Sequence, residues 1–298
     1  MSDRTDSAAQ NLLWGTWTGL AVPLGPVAAE QNGNAVAAGT DAQGDIILSA
    51  LTTIPGSPRL VDTCVLPSAY PALPGPLAPG EIISIYGAGF GPQQGVTAQP
   101  AGNLLGTDLA GVQVLIGNQP APLLYVSSQQ INLVTPYALS GLSAAPVRIV
   151  TPSGASNTVV LNVQPAAPEI FVNPSNAFET TAAIINPDGT LNSPDHPAHA
   201  GDTVAMFVSG LGQTNPAGVD GMIPEGPGGT PLLPITVQLQ SAPVSPDATI
   251  TYAGYAPGFV SGAVQVNFQV PNFSATGMGP PMPYRFCCSR RRAAPSLL

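Results

Sequence analysis

One pattern occurs twice in this chain, and it limits the fold more than any other feature. Residues 80–92 read GEIISIYGAGFGP and residues 201–213 read GDTVAMFVSGLGQ. The match pairs Gly80 with Gly201, Glu81 with Asp202, Ile83 with Val204 and Tyr86 with Phe207. It continues with Gly89 and Gly210, Phe90 and Leu211, Gly91 and Gly212. Further on, Tyr125 and QINLVTP (130–136) return as Tyr252 and QVNFQVP (265–271). The offset between the copies grows along the chain, as it would if the second copy kept its strands and lengthened its loops. A duplicated structural unit follows.

Each copy reads as β. Ile83 and Ile85, and then Val112, Val114 and Ile116, alternate with the two-residue period of a strand that buries one face. Asn118, Gly141, Pro152-Ser153-Gly154 and Pro187-Asp188-Gly189 supply turns between such runs. Short strands with turns at this spacing predict an all-β chain of two tandem immunoglobulin-like antiparallel β-sandwiches. No Cys…Trp…Cys core signature is present, so the sandwiches should be free of disulfides. The expected domains are residues 62–165 and 166–272. The Pro-rich joint QPAAPEIF (164–171) would be a short, stiff connector.

Composition agrees and narrows function. The 298 residues include 33 Gly and 35 Pro, too many for a mainly helical protein, since Pro costs about 3 kcal/mol inside a helix. The 44% of residues that are hydrophobic fall in short runs such as EIISIY and VQVNFQV, which can build a core. All seven basic residues are Arg, so a Schiff-base lysine and a GK[ST] phosphate loop are excluded. A net charge of −9 disfavours nucleic acid and anionic membrane surfaces. No apolar stretch of about 20 residues is present to span a membrane. Charged residues make up only 8%, which suits an extracellular or cell-surface β-protein.

Several ordered segments carry a resemblance: APGEIISIYGAGFGP, GVQVLIGNQPAPLLYVSSQQINLVTPY, PAAPEIF, NPDGTLNSPDHPAHAGDTVAMFVSGLGQT and YAGYAPGFVSGAVQVNFQVP. Together, over about residues 62–272, they resemble the uncharacterised Solibacter-type C-terminal domain family. That family ends large exported proteins with tandem immunoglobulin-like modules of the IPT/TIG kind. The resemblance implies no activity, cofactor or catalytic residue. Residues 33–51 resemble a β-propeller repeat, and a single blade cannot bury its own faces. Residues 1–61 are therefore expected to be an incomplete segment. Leu12 to Ala29 also loosely resembles a signal peptide, although Asp3 and Asp6 sit in its leader. At the other end, Arg and Cys crowd into GPPMPYRFCCSRRRAAPSLL (279–298). That shift in composition predicts a disordered, frameshifted tail over 273–298 and an open edge on the second sandwich.

Candidate sites are few. GAGFGP resembles a dinucleotide fingerprint, but Pro92 takes the position of its last glycine and the second copy has Val208 in place of Gly87. A turn or bulge at a strand end fits better. His196 and His199, with Asp195 and Asp202 beside them, have the residue types of a metal site. Asp188, Asn192 and Asp195 could gather calcium, but NPDG reads first as a turn. Glu81 and Asp202 open equivalent strands, where a carboxylate accepting turn hydrogen bonds is more natural than a proton-transfer pair. Cys64 is expected to be an unpaired thiol. Tyr255 and Phe259 lie in AGYAPGF, an insertion found only in the second copy, and are the expected ligand-binding candidates. The reading is a non-catalytic spacer or adhesive module without a cofactor. Its alternatives are a carbohydrate or surface-polymer module using the 252–260 loop, and an accessory domain of a secreted hydrolase. The expected partner is a carbohydrate or another surface protein.

Overall fold

The computed structural model describes residues 58–70, 73–173, 181–240 and 247–271, with short strands on either side of them. The chain divides into two compact units, Met1–Ser57 and Pro58–Leu298. In the first, β1 (Ser2–Thr5) pairs with β2 (Leu12–Thr16), and β3 (Ala28–Ala29), β4 (Ala35–Thr40) and β5 (Ile46–Leu51) form an antiparallel sheet in that order. The signal-like stretch thus contains strand segments at 12–16 and 28–29; its other residues lie outside the described set.

The second unit begins with a sandwich of two five-stranded sheets. Its strands are β6 (Val65–Pro67), β7 (Ile82–Tyr86), β8 (Val96–Thr97), β9 (Gln113–Ile116), β10 (Gln119–Pro120), β11 (Leu123–Val126), β12 (Gln130–Val134), β13 (Ala144–Thr151), β14 (Gly154–Ala155) and β15 (Val159–Asn162). One sheet has the order β6-β7-β12-β11-β8; the other runs β10-β9-β13-β14, with β15 also on β13. The two-residue alternation does what it must. Ile83 and Ile85 oppose Leu133 and Ile131 on one sheet, and Val114 and Ile116 oppose Ile149 and Val147 on the other. All eight are buried between the sheets. Leu60 joins this core, and its backbone is held at both ends by the Asn157 side chain. Leu60 thus packs with the first sandwich although it precedes residue 62.

The incoming and outgoing strands of this sandwich are stitched together. Leu77 lies parallel to Val163, its N–H donating to the Asn162 carbonyl at 2.8 Å and its carbonyl accepting from Gln164 N–H at 2.8 Å.

The second lobe continues with β16 (Glu169–Ile170), β17 (Val172–Asn173), β18 (Thr181–Ala182), β19 (Ile184–Ile185), β20 (Thr203–Ser209), β21 (Thr214–Asn215), β22 (Thr230–Pro231), β23 (Thr236–Gln240), β24 (Thr249–Tyr255), β25 (Val264–Gln269) and β26 (Arg285–Ser289). Its main sheet has the order β16-β20-β25-β24, with β19 also on β20. Val204, Met206 and Val208 meet Val264, Val266 and Phe268 on the inner face, with Val237 and Leu239 of β23 in the same core.

The tail differs from the sequence expectation at one place. β26 pairs antiparallel with β23, from Thr236 opposite Ser289 to Gln240 opposite Arg285. A strand that the sequence reading expected to be missing after residue 271 is thus supplied from within the tail. The remaining tail residues, and the frameshift expected of them, lie outside the described residues.

Candidate functional site

The repeated segment builds the same turn in both lobes. Glu81 Oε2 accepts the Ala78 N–H at 2.8 Å, and Asp202 Oδ2 accepts the His199 N–H at 2.7 Å, each three residues back. Thr135 N–H donates to the Glu81 carbonyl as Val270 N–H donates to that of Asp202, both at 2.8 Å. At the far end of the strands, Gly89 and Gly210 both have φ of +75°, a left-handed conformation that a Cβ disfavours. Phe90 and Leu211 then drop into the two cores. The glycine pattern is thus a strand-end turn, and the repeated carboxylates hold backbone N–H groups.

What surrounds these turns differs. The second lobe covers the first copy, so Glu81 is only 1% exposed. Burial, with the Glu169 carboxyl nearby, pushes its pKa up to about 8 against the favourable Ala78 N–H. Glu169 is itself raised by burial. At neutral pH, Glu81 is therefore held as the uncharged acid. A carboxyl sealed from solvent in this way meets no substrate, and this places Glu81 in the architecture.

The seam around Glu81 is extensive. Ile82, Leu105 and Val134 of the first lobe share an apolar cluster with Val260 and Ala263 of the second. Ser209 Oγ accepts the Ile82 N–H at 2.8 Å and donates to the Gly262 carbonyl at 3.1 Å. Among the described residues three backbone bonds cross directly, Leu105 N–H to Gly221 O at 2.9 Å, Ile223 N–H to Asn103 O at 2.7 Å and Val172 N–H to Ala69 O at 3.3 Å. Tyr137 is the pin of the joint. Its N–H donates to Asp220 Oδ1 at 2.7 Å and its hydroxyl to the Ser261 carbonyl at 3.1 Å. Its ring lies between Gly80 and Gly218, where a side chain would collide with it. Burial raises the Tyr137 phenol far above its ordinary value, so it stays a donor. Sequence reasoning quoted the TPY segment but gave Tyr137 no role; a polar aromatic just past a core strand was the available signal.

The residues singled out from sequence do not gather. No group of three or more His, Cys, Asp or Glu side chains capable of holding a metal occurs among the described residues. His199 Nδ1 sits 3.6 Å from Asp202 Oδ2 with 80% of its side chain exposed. Asp188 Oδ1 accepts both the hydroxyl and the N–H of Thr190, which hold its carboxyl below its ordinary value. Asn192 instead bonds Asn186, whose amide also reaches the His196 carbonyl. Asp195 is an exposed residue of the same loop. Cys64 is a free, half-buried thiol whose pKa burial raises.

The two aromatic candidates part company. Tyr255 is 6% exposed and is not available as a ligand platform; it ends β24, three residues past the outward-facing Tyr252, and packs on Gly228 and Gly229. Phe259 is 58% exposed, and its ring centroid lies 5.8 Å from that of Phe207.

Layered antiparallel sheets of this kind define an immunoglobulin-like β-sandwich protein. The IPT/TIG domain family model matches residues 65–174, which hold strands β6 to β15 of the first sandwich and the start of the second lobe. Modules of that family are often structural or adhesive, and often mediate protein interactions. No curated protein matches the chain. No helix among the described residues is long and apolar enough to cross a membrane.

Proposed function

We propose that the chain is a non-catalytic spacer or adhesive module at the C-terminal end of an exported or cell-surface protein, of the Solibacter-type C-terminal kind. In this reading residues 62–165 and 166–272 are the two sandwich domains, and 33–51 is a segment like a β-propeller repeat. The partner is a carbohydrate or another surface protein. The supporting observation is the seam: an apolar cluster, three backbone hydrogen bonds and the Tyr137 and Ser209 contacts join the lobes. Freely jointed sandwiches would have left this surface to water. A stiff pair suits a part that holds other parts at a fixed distance.

Amide hydrogen exchange on the full chain tests the reading. The seam amides of Ile82, Leu105 and Ile223 should exchange nearly as slowly as the core amides of Ile131 and Val266. Rapid exchange at the seam beside protected cores would show lobes that move independently and would refute the stiff-spacer reading.

A further inference from the structure

The turns at Glu81 and Asp202 make the same hydrogen bonds, yet only one of them is shut away from water. Asp202 keeps 34% of its side chain exposed, and Glu81 is sealed. The turn itself therefore does not require burial. What seals Glu81 is the second lobe, where Gly210 lies so close that a Cβ there would sit 3.5 Å from Glu81 Cγ. Behind Gly210 runs the joint, whose Ala167 N–H donates to the Gly210 carbonyl at 2.8 Å. Two residues further, Glu169 pairs with Ser209, whose hydroxyl accepts the Ile82 N–H. A carboxyl from each side of the seam thus stands at one place, the Glu169 carboxyl opposing ionisation of Glu81.

An ionised Glu81 has little to hold it there. Among the described residues, the Ala78 N–H is the one donor to its carboxyl. Thr135 Oγ1 accepts the Glu81 N–H and donates to the Ala78 carbonyl, so its own proton is already engaged. The other titratable groups on the packed elements are Tyr137, whose ring lies against Gly80, Asp220, which accepts the Tyr137 N–H, and Tyr255 beside Tyr137. Burial keeps the Tyr137 phenol protonated. Among the described residues, no basic side chain offsets the burial of Glu81 or of Glu169. A charge on Glu81 thus lies in a dry contact, and parting of the lobes is the movement that brings water to it. Each lobe has its own core, larger than the apolar cluster across the seam. The bend falls at Gln164–Pro165: the Gln164 N–H is held by the Leu77 carbonyl of the first lobe, and the Pro165 carbonyl packs on Gly212 of the second.

We propose that Glu81 is a proton latch on the seam: the lobes dock around its protonated carboxyl, and its ionisation favours their parting while both cores stay folded. The proposal rests on the stiff-spacer reading and makes that stiffness conditional on pH. Docking raises the Glu81 pKa from 4.5 to about 8, so the latch is fully set below about pH 4.5 and released as pH rises through 8. Within that interval the open fraction should grow about tenfold per pH unit.

Native-state hydrogen exchange of the full chain at pH 5 and pH 8.5 tests it, with protection measured against the unstructured rate at each pH. Protection of the Ile82, Leu105 and Ile223 amides should fall on the order of several hundredfold between the two. At pH 8.5 that exchange should respond little to added urea, since parting exposes little surface, while exchange at Ile131 and Val266 should respond strongly. Glu81→Gln should hold the seam amides nearly level. A wild-type infrared band from a protonated carboxyl should also persist at pH 7 and fade above pH 8, a readout that needs no variant. Seam protection equal at both pH values, an equally steep fall in Glu81→Gln, seam exchange as urea-sensitive as the cores, or no such band at pH 7 would each overturn the latch. Slow seam exchange at both pH values would leave the spacer reading standing, whereas rapid seam exchange already at pH 5 would sink both.

Discussion

Replacing Glu81 by Gln should remove most of the pH dependence of stability between about pH 4.5 and 8. Folding raises the Glu81 pKa from an ordinary 4.5 to about 8, so in that interval the folded protein holds a proton that the unfolded chain has released. The sign follows. The stabilisation is fully present below about pH 4.5 and is lost as pH rises through 8. Each pH unit inside the window costs about 1.4 kcal/mol, which sums to roughly 5 kcal/mol across it. The Gln side chain keeps a carbonyl oxygen for the Ala78 N–H but has no proton to lose. Urea unfolding at half-unit steps from pH 4.5 to 8.5 should therefore show a steep decline for wild type and a much flatter line for Glu81→Gln. Half-buried Glu169 is raised in the same direction and should leave a smaller residual slope. Asp188, whose pKa is lowered by Thr190, acts only at more acid pH and with the opposite sign. Parallel slopes for wild type and variant would refute the argument that this carboxyl is folded in its neutral form.

Gly89→Ala and Gly210→Ala form a matched pair, since both glycines have φ of +75° but only Gly210 faces the Ala167 carbonyl. The first should cost about 1–2 kcal/mol for the left-handed backbone alone, and the second roughly 1–3 kcal/mol more for crowding. Thermal unfolding would check this, and equal losses would sink the distinction. Tyr137→Phe leaves the buried Ser261 carbonyl without its donor and should destabilise by about 1–2 kcal/mol. Exchange of the Ile223 amide should quicken with it; an unchanged rate would mean that Tyr137 does not pin the seam.

The parts legible in the sequence were those with local physical causes. The alternation of Ile83 and Ile85, the turn glycines and the carboxylates opening the repeated strands each act within a few residues, and each does the expected work. The seam was not legible because it joins positions far apart in the chain: Tyr137 meets Ser261, and Ile82 meets Ser209. Polar side chains chosen for one distant partner leave no period behind. Tyr255 was misread for a different reason. Treating AGYAPGF as a loop hid that β24 continues through Tyr255 and turns that ring inward. In the tail, the excess of Arg concealed the short run RFCCS, which pairs with β23.

The stitch between Leu77 and Val163 is one of several ties that would share tension across the first sandwich. A pull applied at Pro58 meets the Asn157 side chain on Leu60 first, then the pairing of β6 with β7, and only then the Leu77–Val163 bridge. A pull from the second lobe enters the same sandwich through Ile82, Leu105 and Tyr137 as well as through Val163. Load is thus spread over many short bonds, so that the pair would resist stretching as a braced block and not at one weak link.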